Sequence, residues 1–429
     1  MTPRWWDPPL AGRSRRLGPA GLGTLATVDD RPKGARRVRD SLAEFIAGEA
    51  ASGVVLVGAV VAGLLWFNLA EGSYADVWHR AAFVDIAFVH VHKDIAGWVE
   101  SGLMTLFFLV VGLELKRELT IGELRDRRVA AVPIYAALGG MVVPAVIYLA
   151  LTAGTDATRG WGIPVATDIA LVLGILALLG SRVPPALKLF MLTLAVVDDL
   201  LGIGAIAVVY TDDLAPIWVV GAVAVIGVGT ALVRRFPRGS LFGAVAIVAW
   251  YCTYRSGVKA PIAGAAVALA LPSGEIRGRE LAAELEHRLV PWSAFLVVPL
   301  FGLASAAVDV SPTGLSRAYS ERTTWAIVVA AVVGKLVGIV VATRFAVRGG
   351  WRTIPDGITG TQLTGAALLG GVGFSVALFV SGAAFAARPE FTEAARAGIL
   401  TAAVVAAASG SLILTLSPHG RRGTDTPDT

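Results

Sequence analysis

Two adjacent aspartates, Asp198 and Asp199, lie inside the apolar run Leu187 to Gly202, among leucines, alanines and valines. Near the middle of a helix that crosses a bilayer, with a rise of about 1.5 Å per residue, they sit roughly 15–20 Å from either end and cannot reach water by snorkelling. A charge at that depth costs at least about 2.5–3.5 kcal/mol on insertion scales, and two carboxylates side by side also repel each other. Such a pair holds a proton, binds a cation or faces a water-filled cavity. Neighbouring helical residues point about 100° apart, so one acid can face a cavity while the other meets a packed helix. Interacting acids titrate as a unit, which sets cation binding and proton release in competition.

Three further residues share this apolar setting. Lys335, in Val333-Gly334-Lys335-Leu336, is the only other mid-span charge of its kind and needs an anion; Asp198 or Asp199 is its natural partner. Asp168 follows the helix-weakening run Gly162-Ile163-Pro164 and can offset the positive end of a half-helix. Thr167 beside it adds an oxygen, and hard cations prefer oxygen ligands, so Asp199, Asp198 and Thr167 together are a candidate cation site.

The elements that must position these residues follow from composition. Of 429 residues, 55% are hydrophobic and 16% charged, against about 25% charged in soluble domains. With a mean hydropathy of +0.69, the chain reads as an all-α polytopic membrane protein, in contact with lipid and not an enzyme. About twelve spans are expected, near 48–69, 98–115, 129–151, 160–179, 185–210, 215–233, 240–254, 258–271, 290–308, 324–345, 360–383 and 394–416. They form one transmembrane domain, 41–416. The tails 1–40 and 417–429 are polar and expected to be disordered, and 1–40 holds no apolar run of signal length. The 49 glycines suit close helix packing. The net charge of +5 reflects basic loops that place both termini in the cytoplasm, and it does not point to nucleic acid. The single Cys252 excludes an internal disulfide, and no cofactor is expected.

Two spans read as broken. The fourth carries Gly162, Pro164 and Asp168, and the eleventh carries Gly365 and then Gly370-Gly371-Val372-Gly373. Irregular backbone at membrane depth survives only where protein or a cavity satisfies it, and paired interruptions mark transporters with inverted-topology repeats. The connection 70–97 is long, and Phe83 to His92 partly alternates, which predicts a hairpin outside the membrane.

At these residues the chain resembles the NhaA family of bacterial sodium/proton antiporters. The resemblance runs through Phe107-Phe108-Leu109-Val110-Val111-Gly112-Leu113-Glu114-Leu115-Lys116-Arg117-Glu118, Pro164-Val165-Ala166-Thr167-Asp168, Leu178-Leu179-Gly180-Ser181-Arg182-Val183-Pro184, Asp198-Asp199 and Gly334-Lys335. It implies electrogenic, pH-regulated exchange of Na+ or Li+ for H+ across the inner membrane, in sodium and pH homeostasis. It also implies that Asp199 and Asp198 carry the ion and proton, that Thr167 and Asp168 belong to crossed broken helices, and that Lys335 partners Asp198. The family's pH-sensing region maps to Glu114, Arg117, Glu118, Glu284, Glu286 and His287, and its homodimer contact to the hairpin at 83–93. Two departures bear on pH response: Lys259 follows Gly257-Val258 where the family often has a histidine in that turn, and Glu100-Ser101 stands where it often has an aspartate. An intramembrane aspartyl protease is excluded because its acids sit on different helices. No filter-like repeat supports a channel, and intramembrane acids favour a cationic ligand over the organic anion of a symporter.

Overall fold

The computed structural model describes residues 33–417 apart from 87–88, 126, 212, 273, 276–279 and 350–357. Among these, eight helices are long and apolar enough to cross a membrane. A multi-pass helical membrane protein is therefore the architecture, and the chain order of its elements is as follows. Helix α1 spans Lys33–Leu69 and α2 Glu71–Trp78, followed by strands β1, Ala81–Ile86, and β2, Val89–Asp94. Next come α3, Ile95–Thr120, and α4, Arg127–Thr152. A 3-10 helix, Asp156–Val165, then leads to α5, Ile169–Leu178. The chain continues with α6, Pro185–Val209, α7, Pro216–Arg235, α8, Gly239–Arg255, and α9, Ile262–Ala270. It closes with α10, Leu281–Ser305, α11, Pro312–Ser320, and α12, Arg322–Arg348. The last three helices are α13, Gly360–Leu369, α14, Ser375–Ala384, and α15, Pro389–Leu416.

Among the described residues, the spans expected near 48–69, 98–115, 129–151, 185–210, 215–233, 290–308, 324–345 and 394–416 recur as the eight long apolar helices, while the one expected at 240–254 forms α8, only 17 residues long. The 3-10 helix and α5 meet at 43°, and counted as one bent span they would bring the crossings to nine. The segments expected at 258–271 and 360–383 form α9 and the α13–α14 pair, each piece shorter than the roughly 20 residues a full crossing needs. The turn before α9 is set by Gly257 at φ +84°, and the interruption after α13 falls in the run Gly370 to Gly373. Helix α1 starts at Lys33, inside the segment 1–40, the rest of which lies outside the described residues. The residues of the 417–429 tail beyond Ser417 also lie outside them.

The predicted hairpin is present. Strands β1 and β2 pair antiparallel, with Phe83 opposite His92 and Asp85 opposite His90. Asp85 accepts hydrogen bonds from both imidazoles, at 3.0 Å to His90 Nδ1 and 2.9 Å to His92 Nε2, and these hold its carboxyl below the usual carboxylate range.

Without a hydrophobic drive between helices in lipid, association depends on close approach of small residues. The contact of α4 with α12 uses this fully. A Cβ on Gly338 would lie 2.1 Å from the Gly139 carbonyl oxygen, and one on Gly334 would lie 2.8 Å from Pro144 Cα. The obstacles are backbone atoms, which cannot swing aside. Gly338→Leu is expected to destabilise the folded protein by about 3 kcal/mol or more, above the usual cost of overpacking. A lowered melting temperature in detergent checks this; an unshifted melt would show that the two helices are free to separate there. The packing matters for function because Lys335 follows Gly334 directly.

Candidate functional site: a buried carboxylate pair beneath two crossed broken helices

The site is built from chain interruptions. After the 3-10 helix the backbone runs extended through Ala166 and Asp168, and α5 starts at Ile169. The Asp168 carboxylate caps α5 by accepting from the Leu171 amide at 3.2 Å. Its other oxygen accepts from the amide and the hydroxyl of Ser375, the first residue of α14, at 3.1 and 2.7 Å. One carboxylate thus serves the N-termini of two half-helices, where unsatisfied amides and the helix dipole favour negative charge. The two breaks also touch: the Asp168 amide donates to the Val372 carbonyl at 2.8 Å. A Cβ on Gly373 would sit 2.4 Å from the Ala166 carbonyl oxygen, so glycine is required by the approach of the two chains.

Helix α6 passes beneath this crossing. Asp198 and Asp199 fall within it and are both buried, and they diverge as adjacent helical residues must. Asp198 points to α12. The Lys335 ammonium, fully buried, donates to Asp198 Oδ2 and to Thr167 Oγ1, the latter at 3.0 Å. Thr167 Oγ1 lies 2.7 Å from Asp198 Oδ2 and 2.8 Å from the Gly370 carbonyl oxygen. A hydroxyl has one proton, so it donates to one of these acceptors at a time. Asp198 Oδ1 is buried and takes no hydrogen bond.

Asp199 faces a cavity of about 80 Å³ instead. At roughly 10–15 Å³ per water, that space admits several water molecules or a partly hydrated ion. Thr167, Asp168 and Ser375 also line it, as do Glu114, Arg117 and Glu118 on α3. Arg117, with 38% of its side chain exposed, brings this charged lining to solvent. It donates to Glu286 Oε1 of α10 at 2.6 Å and lies 3.5 Å from Glu118 Oε1. Of the six residues mapped to pH sensing, Glu114, Arg117, Glu118 and Glu286 are thereby gathered. Glu284 lies on α10 with Glu286, half-buried, and His287 is exposed beside Glu286.

Two participants escaped the sequence reading. Ser375 holds Asp168, and its signal was its place as the first helix residue after a glycine run. The Gly370 carbonyl had no signal, because a free backbone oxygen is invisible until the break is located.

The fold and site define a multi-pass membrane protein whose intramembrane carboxylates border a cavity, the arrangement of a secondary transporter with discontinuous helices. Comparison with known proteins agrees. The profile of the family described as Na+/H+ antiporter 1 matches residues 43–414. The chain is 41% identical to Na(+)/H(+) antiporter NhaA 2 of Novosphingobium aromaticivorans over 89% of this chain and 97% of that protein. It is 40% identical to Na(+)/H(+) antiporter NhaA of Frankia casuarinae over 87% of each chain, and 38% identical to Na(+)/H(+) antiporter NhaA 1 of Klebsiella pneumoniae over 87% of this chain and 95% of that one. This chain belongs to the NhaA family of Na+/H+ antiporters. These relatives are named as transporters, not as enzymes.

Proposed function

We propose that this protein exchanges cytoplasmic Na+ or Li+ for external H+, with Asp199 as the cavity-facing ligand and Asp198 as a partner released from Lys335 during the cycle. The observation that carries this reading is the split environment of the pair: one carboxylate opens on the cavity while its neighbour is tied to a buried ammonium. An incoming cation takes oxygens from Asp199, Asp198 and Thr167. Its charge displaces the proton held on Asp199, because the same lone pairs cannot hold both, and draws Asp198 away from Lys335, whose buried ammonium then loses a second proton for want of a countercharge. Loss of more than one proton per monovalent cation moves net charge, which makes exchange electrogenic. Reversal on the other side of the membrane requires the crossed half-helices to rock as a unit around a fixed site, as in transporters built from twelve helices with inverted repeats.

The charged lining formed by Glu114, Arg117, Glu118 and Glu286, with Glu284 and His287 nearby, would make access pH-dependent. Basic loops favour an inner-membrane orientation with both termini in the cytoplasm and the cavity open to that side. The outer hairpin at 83–93 would form a homodimer contact. The decisive experiment reconstitutes the purified protein in proteoliposomes containing a pH dye and imposes a sodium gradient. Sodium-driven proton movement, repeated with lithium and across pH, is the expected result. Vesicles in which a sodium gradient moves no protons would sink the antiporter reading.

A further inference from the structure

The 3-10 helix Asp156–Val165 is ten residues long. Such runs rarely exceed three or four residues, because their hydrogen bonds are poorly aligned. Side chains from outside hold this one in place. Tyr148, on α4, donates its hydroxyl to the Ala157 carbonyl at 2.8 Å. Tyr210, which caps the C-terminus of α6, donates to the Arg159 carbonyl at 2.9 Å and accepts from the Gly162 amide at 3.1 Å. Arg388, just before α15, forms an ion pair with Asp156. Both tyrosines are fully buried. The glycines opposite them have no positive φ and are there for space. A Cβ on Gly160 would lie 2.5 Å from the Tyr148 hydroxyl, and one on Gly162 would lie 2.7 Å from the Tyr210 hydroxyl.

The two tyrosines differ in what they connect. Tyr148 belongs to a helix without carboxylates at the site. Tyr210 ends the helix that carries Asp198 and Asp199, about three turns beyond them, roughly 16 Å along the axis. From Gly162 the chain runs through Ile163-Pro164-Val165-Ala166 to Thr167, whose hydroxyl meets Asp198 at 2.7 Å. Helix α6 is therefore fastened to one backbone segment at two points, once through Tyr210 and once through the ion site itself. We propose that Tyr210 is a positioning residue for the cation site: its hydroxyl fixes the distance between the Thr167 oxygen and the Asp198–Asp199 pair. Freeing this link lets the broken span tilt against α6, so the three oxygens no longer converge on one ion. Tyr148 anchors the same segment without setting that distance.

This inference rests on the sodium/proton reading and is tested in the same vesicles. Tyr210→Phe keeps the ring and removes both hydrogen bonds. The sodium concentration for half-maximal exchange is expected to rise about five-fold or more, the cost of losing roughly one or two such bonds, while the maximal rate stays within about two-fold. Tyr148→Phe is expected to lower the melting temperature comparably and leave half-saturation within about two-fold. A purely structural role would make the two variants alike, so equal melting shifts with unmoved half-saturation in both would overturn the proposal. Should Tyr210→Phe not be recovered folded, Gly162→Ala presses on the same hydroxyl. It is expected to raise half-saturation, and unmoved half-saturation in that variant overturns the proposal equally. Failure of the unmodified protein to exchange would instead overturn the function itself.

Discussion

Asp199→Asn eliminates sodium-driven proton movement while leaving the melting temperature of the protein near its starting value. The two halves of this expectation have separate causes. Among the described residues the Asp199 carboxylate takes no hydrogen bond and forms no ion pair, and it faces the cavity. An amide of the same shape therefore breaks no packing contact. Its effect falls on the ligand. A carboxylate about 4 Å from a monovalent cation, at an effective dielectric near 20, contributes about 4 kcal/mol, close to a thousand-fold in affinity. The amide also cannot accept a proton in the relevant range, so the competing half of the exchange is lost as well. Calorimetric titration with sodium and the vesicle assay measure the two losses independently. Substantial residual exchange would remove Asp199 from the site. Sodium binding that persists without exchange would make it a proton carrier alone.

What the sequence revealed about this site depended on cost. A charge in an apolar run is conspicuous because it is expensive, so Asp198, Asp199, Lys335 and Asp168 stood out without any structure. The choice between Asp198 and Asp199 as the lysine's partner did not stand out from the residues alone. Adjacent helical positions differ by a rotation, and the orientation of α6 is decided by its packing against α4, α5 and the crossing. The hairpin was legible because alternation has period two and its ends are marked by loop residues. The helix count was less so. Segments such as α9 and the α13–α14 pair are apolar enough for spans but are ended by Gly257 and by the Gly370–Gly373 run, and composition does not say how far a broken helix travels before it turns. Irregular helix was hidden for a related reason. Five-residue π-helical turns occur at Val99–Leu103, Ser293–Val297 and Ala330–Gly334, the last immediately before Lys335. Such turns arise from tertiary packing, and nothing in the residue types alone announces them. The tyrosines that hold the 3-10 helix were silent too, since a tyrosine near a span end more often marks the membrane interface.

The second large effect concerns the buried pair, and here stability and transport separate. Lys335→Met is expected to destabilise the protein by about 3–5 kcal/mol, because it leaves Asp198 buried with its countercharge gone. Methionine fills much of the same volume, so little of that loss comes from a cavity. The partner change, Asp198→Asn, strands the ammonium instead and is expected to cost a similar amount. The informative protein is the double variant. Removing both charges of a buried ion pair leaves no desolvated charge uncompensated, whereas removing one does, so the double change costs far less than the sum of the single ones. Lys335→Met/Asp198→Asn should therefore melt close to the unmodified protein, with a coupling between the two changes of several kcal/mol, larger than the 0.5–3 kcal/mol typical of neighbours in contact (~). Additive melting shifts would show that the ammonium and the carboxylate do not share a field, and would remove the pair from the mechanism. If the coupling is present, exchange in the double variant reports on the pair's second role. With Thr167 still placed by the Gly370 carbonyl and Asp199 still facing the cavity, sodium can bind one carboxylate, but only one acid remains to carry protons. Such a protein is expected to exchange weakly if at all, and any residual exchange should respond less to membrane potential, because fewer charges cross per ion. A stable double variant with unaltered electrogenic exchange would assign the Lys335–Asp198 pair to folding and leave Asp199 to account for transport.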